Sequence, residues 1–391
     1  MQGETVATTI LSGLVDDQDI EQTQRVPDIS TSIAMLDPDL TQFTTMLMKV
    51  ASKPAFNQKV QWFEDQLIPR LSAVAGSQTD VDTSIEVVTD TGTYFRAGDL
   101  VRNARTGEGF LVSTVATDTL TVVRGAGRVT AAAMNDGDQL LIVSNAAAQG
   151  ATLGTRKQTK KVNNFNRTQI VRHPFGFTNT LIASKLYAGN EPANEADKKA
   201  IEHKRSIEYI LFWGPRGDSE SDTATAGQCG GLFEFVQTNV KDAAGTLSKT
   251  LLDTYLRDLL QHGTENKVLF ASPVTAQAIS GFLRDAWNPA TVDTKLWGAK
   301  VNGFISGAYG FQIPVIVKRD WNDFATSSSQ YGGWSFLVDM DNVAIRPLRP
   351  TKFLQNRQAN DADEETHEYL TETSFEVKQE KTHGVIVGVT G

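Results

Sequence analysis

The chain has 391 residues, of which 40% are hydrophobic and 21% charged, and its formal net charge at pH 7 is -9. These proportions are typical of a globular protein with one large core or two moderate ones. The acidic excess argues against a protein whose task is to grip nucleic acid, because such proteins neutralise phosphates with lysine and arginine. A single cysteine excludes a disulfide framework within one chain, and the strand-length apolar runs predict no membrane span.

Residues 1–55 are predicted to form an N-terminal arm that docks onto another surface. Residues 1–45 carry eight acidic residues against one base, Arg25, and contain only short apolar clusters. A segment of this composition buries too little apolar surface to fold alone. A short helical pattern occurs at 40–50, and the pattern over 57–73 fits either a strand or a helix.

Residues 82–150 are predicted to form a small β-domain. Short runs rich in β-branched residues alternate there with turn signals such as Arg124-Gly125-Ala126-Gly127. Five short strands in so few residues suggest a small barrel or sandwich. The predicted strands are Ser84–Val88, Leu100–Arg102, Phe110–Val115, Thr119–Val123 and Gln139–Val143.

Two longer elements follow this domain. Lys160 to Thr180 is predicted to be one extended segment with polar residues on both faces, and such a strand has weak register inside its own subunit. We therefore expect it to find partners on another chain. Residues 191–213 carry an apolar stripe at helical spacing and stop at Gly214-Pro215, which predicts a helix about 30–35 Å long.

From residue 247 the pattern alternates between helices and strands, which predicts an α+β body with mostly antiparallel sheets. The helix Ser248–His262 precedes a buried strand at Lys267–Ala271, and Ser272-Pro273 caps the next helix. Further strands are predicted at 299–306, 311–318, 334–338, 343–346, 366–378 and 383–389.

The sequence contains no motif that indicates catalysis or cofactor binding. The stretch 227–231 is rich in glycine but lacks the Gly-Lys-Ser/Thr ending of a phosphate loop, so a turn is the better interpretation. Cys229 has no histidine near it in sequence, which disfavours a nucleophile, and residues 361–368 lack the spacing of a calcium loop. We expect no enzyme activity, no cofactor and no metal; an unrecognised hydrolase is the remaining enzymatic alternative.

Opposite charges are concentrated in separate segments. Residues 156–173 contain no acid, whereas residues 361–380 are strongly acidic. One interpretation is that both are solvated surface. The other is that the basic segment lies across an acidic segment of a neighbouring copy, either the arm or the C-terminal strand. The residues predicted to make this contact are Arg156, Lys157, Lys160, Lys161, Arg167 and Arg172, with Asp361, Asp363, Glu364 and Glu365.

Several passages along the chain carry a family resemblance. They are Val162–Val171, Glu202–Gly214, Gly230–Asn239, Val338–Pro350 and Glu380–Ile386. In this order they resemble the major capsid proteins of tailed bacteriophages with the Hong Kong 97 fold. Individually the passages are architectural and weak, and it is their order that is specific.

The resemblance implies a set of structural parts. They are an N-terminal arm (1–55), an extended loop (56–81 and 151–182), a spine helix of a peripheral domain (183–225), an axial domain (226–340) and C-terminal peripheral strands (341–391). The β-domain at 82–150 departs from the minimal plan, so we expect it to be an insertion at the tip of the extended loop. The family's cross-linking residues find no matching position.

The resemblance also implies a function and a set of partners. The expected function is self-assembly into pentamers and hexamers of an icosahedral phage head that encloses double-stranded DNA, which it would contact weakly and without sequence specificity. Assembly is expected in the host bacterial cytoplasm, with a portal as a partner and decoration or scaffolding proteins as further candidates. Alternatives are an encapsulin-type cellular compartment and another phage structural part, such as a tail protein.

Overall fold

The computed structural model describes residues 41–147, 149–150, 154–184, 191–217, 227–286, 295–296, 299–300, 302–305, 312–324 and 331–390. The chain divides into two compact units. The first unit comprises residues 1–62 and 165–391, and the second comprises residues 63–164. The chain therefore passes from one unit to the other twice.

The elements form an α+β chain, as predicted. In the described residues the α-helices are α1 (Gln42–Val50), α2 (Asn179–Ala183), α3 (Glu191–Trp213), α4 (Leu232–Phe235), α5 (Lys249–Leu259) and α6 (Pro273–Ala286). The first nine strands are β1 (Lys59–Glu64), β2 (Leu71–Ala73), β3 (Ser84–Glu86), β4 (Asp99–Asn103), β5 (Gly109–Ala116), β6 (Thr119–Val123), β7 (Gln139–Asn145), β8 (Val162–Arg167) and β9 (Gln169–Thr178). The later strands are β10 (Val240–Gly245), β11 (Lys267–Ala271), β12 (Lys295–Leu296), β13 (Ala299–Lys300), β14 (Asn302–Ile305), β15 (Gln312–Val317), β16 (Ser335–Asp339), β17 (Val343–Leu354), β18 (Glu364–Val377) and β19 (Gly384–Val389).

The first unit is built around a six-stranded sheet with the order β10-β19-β16-β11-β15-β14. Its central strands β11 and β16 are buried at every position, so both faces of the sheet are covered. Helix α5 begins after Ser248, whose hydroxyl caps it by accepting a hydrogen bond from the Leu251 amide. The predicted hairpin near 299–318 is present as the antiparallel pair β14 and β15.

A second sheet of the first unit has the order β17-β18-β9, and helix α3 packs on it. Helix α3 has the bounds that the sequence predicted. The C-terminal range 341–391 divides between the two sheets, because β17 and β18 lie in this one and β19 pairs with β16 in the other. The partition into axial and peripheral domains stays a prediction.

Residues 41–55 of the predicted arm contact the rest of their own chain, residues 1–40 lie outside the described part, and the bounds of the arm stay a prediction. Helix α1 belongs to the main core, because Phe43, Met46 and Leu47 share one face and are at most 1% exposed. The ring of Phe43 packs 4.8 Å from that of Phe212 in α3. After the helix, the amide of Lys53 donates to the carbonyl of Ile345, so the chain runs along the edge of β17.

The prediction of one extended segment from Lys160 to Thr180 is wrong, because the chain is interrupted at Thr168, between β8 and β9. The second half has an apolar face after all, since Val171, Phe175 and Phe177 alternate and are buried. Strand β9 pairs with β18 of its own chain over ten residue pairs, from Gln169 to Thr178. Only β8, which pairs with β1 in a two-stranded sheet, keeps two largely polar faces.

The second unit is a small antiparallel barrel. The five predicted strands are present as β3 to β7, and β2 adds a sixth, in the order β2-β7-β4-β5-β6-β3. The two end strands meet, because the Ala75 amide donates to the Glu86 carbonyl and the Val88 amide to the Ala73 carbonyl. Its core is separate from that of the first unit and includes Phe95, Phe110 and Leu140. Its place as an insertion at the tip of an extended loop stays a prediction.

Candidate functional site

Three members of the predicted basic contact set are freely displayed. Arg156, Lys160 and Lys161 are exposed, and no described carboxylate lies within ion-pair distance of them. Lys157 is half-buried, and its ammonium donates to the carbonyl oxygen of Thr93 at 2.6 Å. Burial lowers the pKa of Lys157. These four cations therefore follow one another along a single surface segment, 156–161.

The other two members of the basic set lie in strands, and only Arg172 makes an ion pair within the described part of its own chain. Arg172 binds Glu368 of the adjacent strand with two hydrogen bonds, 2.9 Å from Nε and 2.5 Å from an Nη. Arg167 is half-buried, and its Nε has no hydrogen-bond partner in the described part of the chain. The sequence grouped all six by spacing, but Arg167 lies in β8 and Arg172 in β9, whereas the other four lie on the segment 156–161 that precedes β8.

The acidic strand β18 is similarly committed to its own sheet. Glu372 accepts from Arg349 at 2.6 Å, and Glu376 binds both Arg346 and Lys378. Burial raises the pKa of Glu376, but its bonds to Lys378 and Arg346 outweigh burial, so the pKa lies below its ordinary value. The acidic residues of this strand are therefore structural ion pairs over most of its length.

The predicted acidic contact residues lie at the start of β18, where these pairs end. Asp363 accepts a hydrogen bond from the Asn179 side chain at 2.5 Å, and Glu364 accepts one from Thr366 at 3.3 Å. Glu365 lies 3.9 Å from the imidazole of His367, and Asp361 is exposed. We call Asp361, Asp363, Glu364 and Glu365 the acidic corner. Three of the four are exposed, so the corner can accept cations from outside the subunit.

A cleft lies on the barrel unit beside the basic segment. It consists of two adjoining depressions of about 760 and 450 Å³ that share Ile68, Tyr94 and Lys157 in their walls. Arg70 and Arg156 also line it. The carboxylate that lines it, Asp99, lies 3.0 Å from Arg96 and is neutralised by that contact. The cleft is therefore cationic, and each of its two depressions has a volume within the range of about 300–1,000 Å³ that ligand pockets occupy.

Large apolar side chains are exposed where the chain passes between the two units. Phe56 is 89% exposed, Phe63 71%, Leu67 92% and Val162 59%. Single exposed apolar residues are normal, but aromatic and aliphatic side chains exposed to this degree are candidates for burial against another protein. The sequence contained this signal only as a mixed pattern over 57–73.

A buried ion pair, which sequence analysis missed, anchors helix α1. The carboxylate of Glu208 accepts from the amides of Phe43 and Thr44 at 3.0 and 2.7 Å and from the Thr44 hydroxyl at 2.5 Å. It also accepts from the ammonium of Lys318 at 2.8 Å, and both side chains are at most 2% exposed. A carboxylate at the amino end of a helix satisfies free amides and complements the helix dipole. The available signal was a glutamate on the apolar stripe of α3.

A second buried polar joint lies where β8 ends. The Asn166 side-chain amide donates to the carbonyls of Gly230 and Phe375, at 2.9 and 2.6 Å, and its oxygen accepts from the Gly230 amide at 2.8 Å. A Cβ on Gly227 would lie 2.3 Å from the carbonyl oxygen of Thr168. The glycine-rich stretch 227–231 therefore allows close packing of backbone against the junction of β8 and β9.

Two histidines join helix α3 to the sheet. His173 and His203 meet with their Nδ1 atoms 3.0 Å apart, and Nε2 of His203 lies 2.7 Å from the Thr371 hydroxyl. Thr371 itself donates to Thr351, so Nε2 of His203 is the donor and its Nδ1 accepts from His173. Burial lowers the pKa of His203 to about 4, with a further lowering from His173. The pair is therefore neutral near pH 7.

The described residues show no arrangement that indicates catalysis. No group of three or more His, Cys, Asp or Glu residues that could hold a metal ion occurs in the described part of the chain. Cys229 is fully buried, and burial raises the pKa of its thiol to about 12. Among the described residues no helix is long and apolar enough to cross a membrane.

Comparison with known proteins gives a family match over nearly the whole chain. The family described as SU10 major capsid protein matches residues 5–390. A curated relative, a major capsid protein of Pseudomonas phage PaMx41, is 28% identical over 144 residues, which are 37% of this chain and 34% of that protein. This match therefore spans about a third of the relative's length.

Solved structures with a similar course of the chain were also found. The capsid of Myoviridae phage XM1 is 10% identical, with 96% of this chain and 99% of that chain covered and a TM-score of 0.47. The capsid of an empty GTA particle is 10% identical, with 94% and 96% covered and a TM-score of 0.49. The SrpI encapsulin of Synechococcus elongatus PCC 7942 is 14% identical, with 59% and 78% covered and a TM-score of 0.43.

Proposed function

The chain belongs to the SU10 major capsid protein family, and from this premise we propose that it is the shell-forming subunit of a tailed-phage head. The resemblance to phage major capsid proteins that the sequence carries is confirmed by the family match. In the proposed function many copies assemble as pentamers and hexamers into an icosahedral shell, without enzymatic activity, in the cytoplasm of a bacterial host. The finished shell is part of the virion and holds double-stranded DNA by weak, non-specific contact.

The observation that carries the assembly proposal is the exposure of large apolar side chains on the stretch 56–67. In an isolated subunit Phe56, Phe63 and Leu67 would leave most of their surface in water, which is unfavourable by about 25 cal/mol per Å² of apolar area. Contacts with neighbouring copies in a closed lattice would bury this surface. Many such modest contacts per subunit sum to a stable particle.

Charge is proposed to set the register of these contacts. Lys160 and Lys161 make no ion pair with a carboxylate of the described residues, and the acidic corner has three exposed carboxylates. Complementary charges contribute more to specificity and association rate than to affinity. Arg167 in β8 and Arg172 in β9 are proposed to stabilise these strands within their own subunit.

The test of this proposal reverses the two adjacent lysines, Lys160→Glu with Lys161→Glu. We expect impaired particle formation from subunits whose far-ultraviolet circular dichroism and thermal unfolding match the unmodified chain, because both side chains are exposed and make no described ion pair. The matched control is Lys352→Glu with Lys249→Glu, which places the same charge change at other exposed positions. Normal particles from the Lys160/Lys161 variant would remove the electrostatic part of the proposal.

The acidic composition bears on packaged DNA. A subunit with a net charge of -9 repels a polyanion on average, so DNA inside the shell would be weakly held and free to leave. A portal, and decoration or scaffolding proteins, are proposed as further partners of the shell. A cellular compartment would differ by enclosing a protein cargo in place of DNA, and analysis of the content of purified particles distinguishes the two.

A further inference from the structure

The cleft on the barrel unit has walls of two chemical kinds. Its apolar lining includes Leu67 at 92% exposure, Val143 at 45% and the half-buried Ile68. Its lining also includes the cations Arg70, Arg156 and Lys157, for which no described carboxylate serves as a salt-bridge partner. A matching occupant has apolar side chains and carboxylates next to each other.

Lys157 is the best-placed cation for such an occupant. Its ammonium makes one hydrogen bond, to the neutral carbonyl of Thr93, and so retains donors for a second partner. It is half-buried, which makes an incoming carboxylate more effective than at a fully hydrated lysine. The exposed Arg156, its neighbour in sequence, supplies a second positive charge to the lining of the cleft.

The acidic strand of the chain is a poor candidate for the cleft. Its carboxylates Glu368, Glu372 and Glu376 are buried and bound by arginines of their own subunit. Moving one of these carboxylates into the cleft would break its ion pair with an arginine of its own subunit, which is costly. DNA is also disfavoured, because phosphates would gain nothing from the apolar wall formed by Leu67 and Val143.

The N-terminal segment has the required chemistry. Residues 10–21 begin with the apolar group Ile10, Leu11, Leu14 and Val15 and end with the acidic group Asp16, Asp17, Asp19 and Glu21. The single base of residues 1–45 is Arg25, which lies outside this segment. About twenty residues separate the segment from helix α1, and an extended chain of that length reaches up to about 70 Å.

We propose that the cleft binds residues 10–21 of a neighbouring copy, with the apolar group against Leu67, Ile68 and Val143 and the acidic group against Arg156 and Lys157. The inference rests on the proposed function and assigns residues 10–21 as the partner of Arg156 and Lys157. The contact would link each subunit to the next through residues 10–21. Its strength should fall as the salt concentration rises, because salt screens the charges.

A charge exchange on the full chain tests this pairing. Arg156→Glu with Lys157→Glu, and separately Asp16→Lys with Asp17→Lys, should each lower the particle yield by about tenfold because each opposes like charges. The four substitutions together should restore the yield to within about threefold of the unmodified chain, since the attraction is only reversed in sign. As a control, Asp37→Lys with Asp39→Lys should not rescue the Arg156/Lys157 variant. A combined variant that assembles no better than either half overturns the proposal.

A covalent trap gives an independent readout. The native Cys229 is fully buried, so a pair of cysteines introduced as Asp17→Cys and Arg156→Cys reacts alone with a short bis-maleimide. Covalent ladders of two, three and more chains from assembled particles support contact between neighbours. Closure within one chain, or no bridge in particles that do form, contradicts it. Reduced DNA retention in the Arg156/Lys157 variant with a normal particle yield would mean that the cleft binds DNA and would also overturn the proposal.

The two proposals fail in different ways. If unmodified chains form no shells, the proposed function fails. If unmodified chains form shells but the charge exchange shows no rescue and the cysteines do not bridge chains, only the assignment of the cleft fails.

Discussion

The buried pair of Glu208 and Lys318 predicts a large and specific stability effect. Glu208→Gln removes the negative charge that four donors now share, from Phe43, Thr44 and Lys318. Two of these donors are helix amides with no other partner in the first turn of α1. The Lys318 side chain is 0% exposed, so its ammonium cannot find water in place of the carboxylate. Breaking a buried pair from one side costs about 3–5 kcal/mol.

The loss of stability should also affect assembly, because α1 is the first described element and directly follows residues 1–40 of the predicted arm. Loss of the Glu208 cap weakens the attachment of α1 to the core of Phe43, Phe212 and Phe270. We therefore expect Glu208→Gln to lower both the free energy of unfolding and the yield of particles. Lys318 also lies 3.8 Å from the buried carboxylate of Asp320, so replacing both partners, Glu208→Leu with Lys318→Met, removes one buried pair but takes the ammonium away from Asp320 and should also destabilise the subunit.

Urea unfolding of unassembled subunits, followed by circular dichroism, measures this effect. The matched control is Glu202→Gln on the same helix, where the carboxylate is about half exposed and pairs with Lys199 at the surface. Exposed pairs contribute about 0–1 kcal/mol, so the control should unfold nearly as the unmodified chain does. If Glu208→Gln is within about 1 kcal/mol of the control, the carboxylate does not hold the helix and the reasoning is refuted.

Two further predictions concern acid and the barrel unit. The pKa of His203 is lowered from 6.5 to about 4, so its contribution to stability is complete above pH 6.5 and is lost as the pH falls towards 4, by about 3 kcal/mol. His203→Gln should reduce this pH dependence of the free energy of unfolding between pH 7 and 4. Part of it should remain, because burial also lowers the pKa of His383 to about 4. If the free energy of unfolding depends on pH as steeply as before, the assignment to His203 is contradicted. Arg124 binds the fully buried Glu108 through two hydrogen bonds of 2.7 and 2.8 Å, so Arg124→Met should destabilise residues 63–164 by about 3–5 kcal/mol. Hydrogen exchange should rise in that unit only, the exposed Arg128→Met should have no effect, and uniform protection in the Arg124 variant would count against the prediction.

Local patterns predicted the elements whose signals lie within them. The bounds of α3 follow from a stripe of apolar residues and the Gly214-Pro215 stop, and both signals are local in sequence. The barrel strands β3 to β7 follow from β-branched runs between turn residues. The sequence did not distinguish a barrel from a sandwich. Closure of the barrel depends on contacts between Ala73–Ala75 and Glu86–Val88, which no local pattern reports.

The features that the sequence could not predict depend on contacts between residues far apart in the chain. The break at Thr168 depends on the close approach of Gly227, and the burial of Asn166 depends on carbonyls of Gly230 and Phe375. The basic and acidic segments were both recognised, but which charges neutralise each other within one chain depends on the register of β9 against β18. In that register Arg172 lies opposite Leu370, two residues from Glu368 on the same strand. Arg172 can therefore form its ion pair with Glu368 and is not available to a neighbouring copy.

The central claim is that this chain completes its surface only by assembling with copies of itself. Negative-stain electron microscopy of the purified full-length chain, over a range of protein and salt concentrations, tests it most directly. The account predicts closed polyhedral particles of uniform diameter. Subunits that stay solitary and soluble at every concentration, or that form only open tubes, would contradict it.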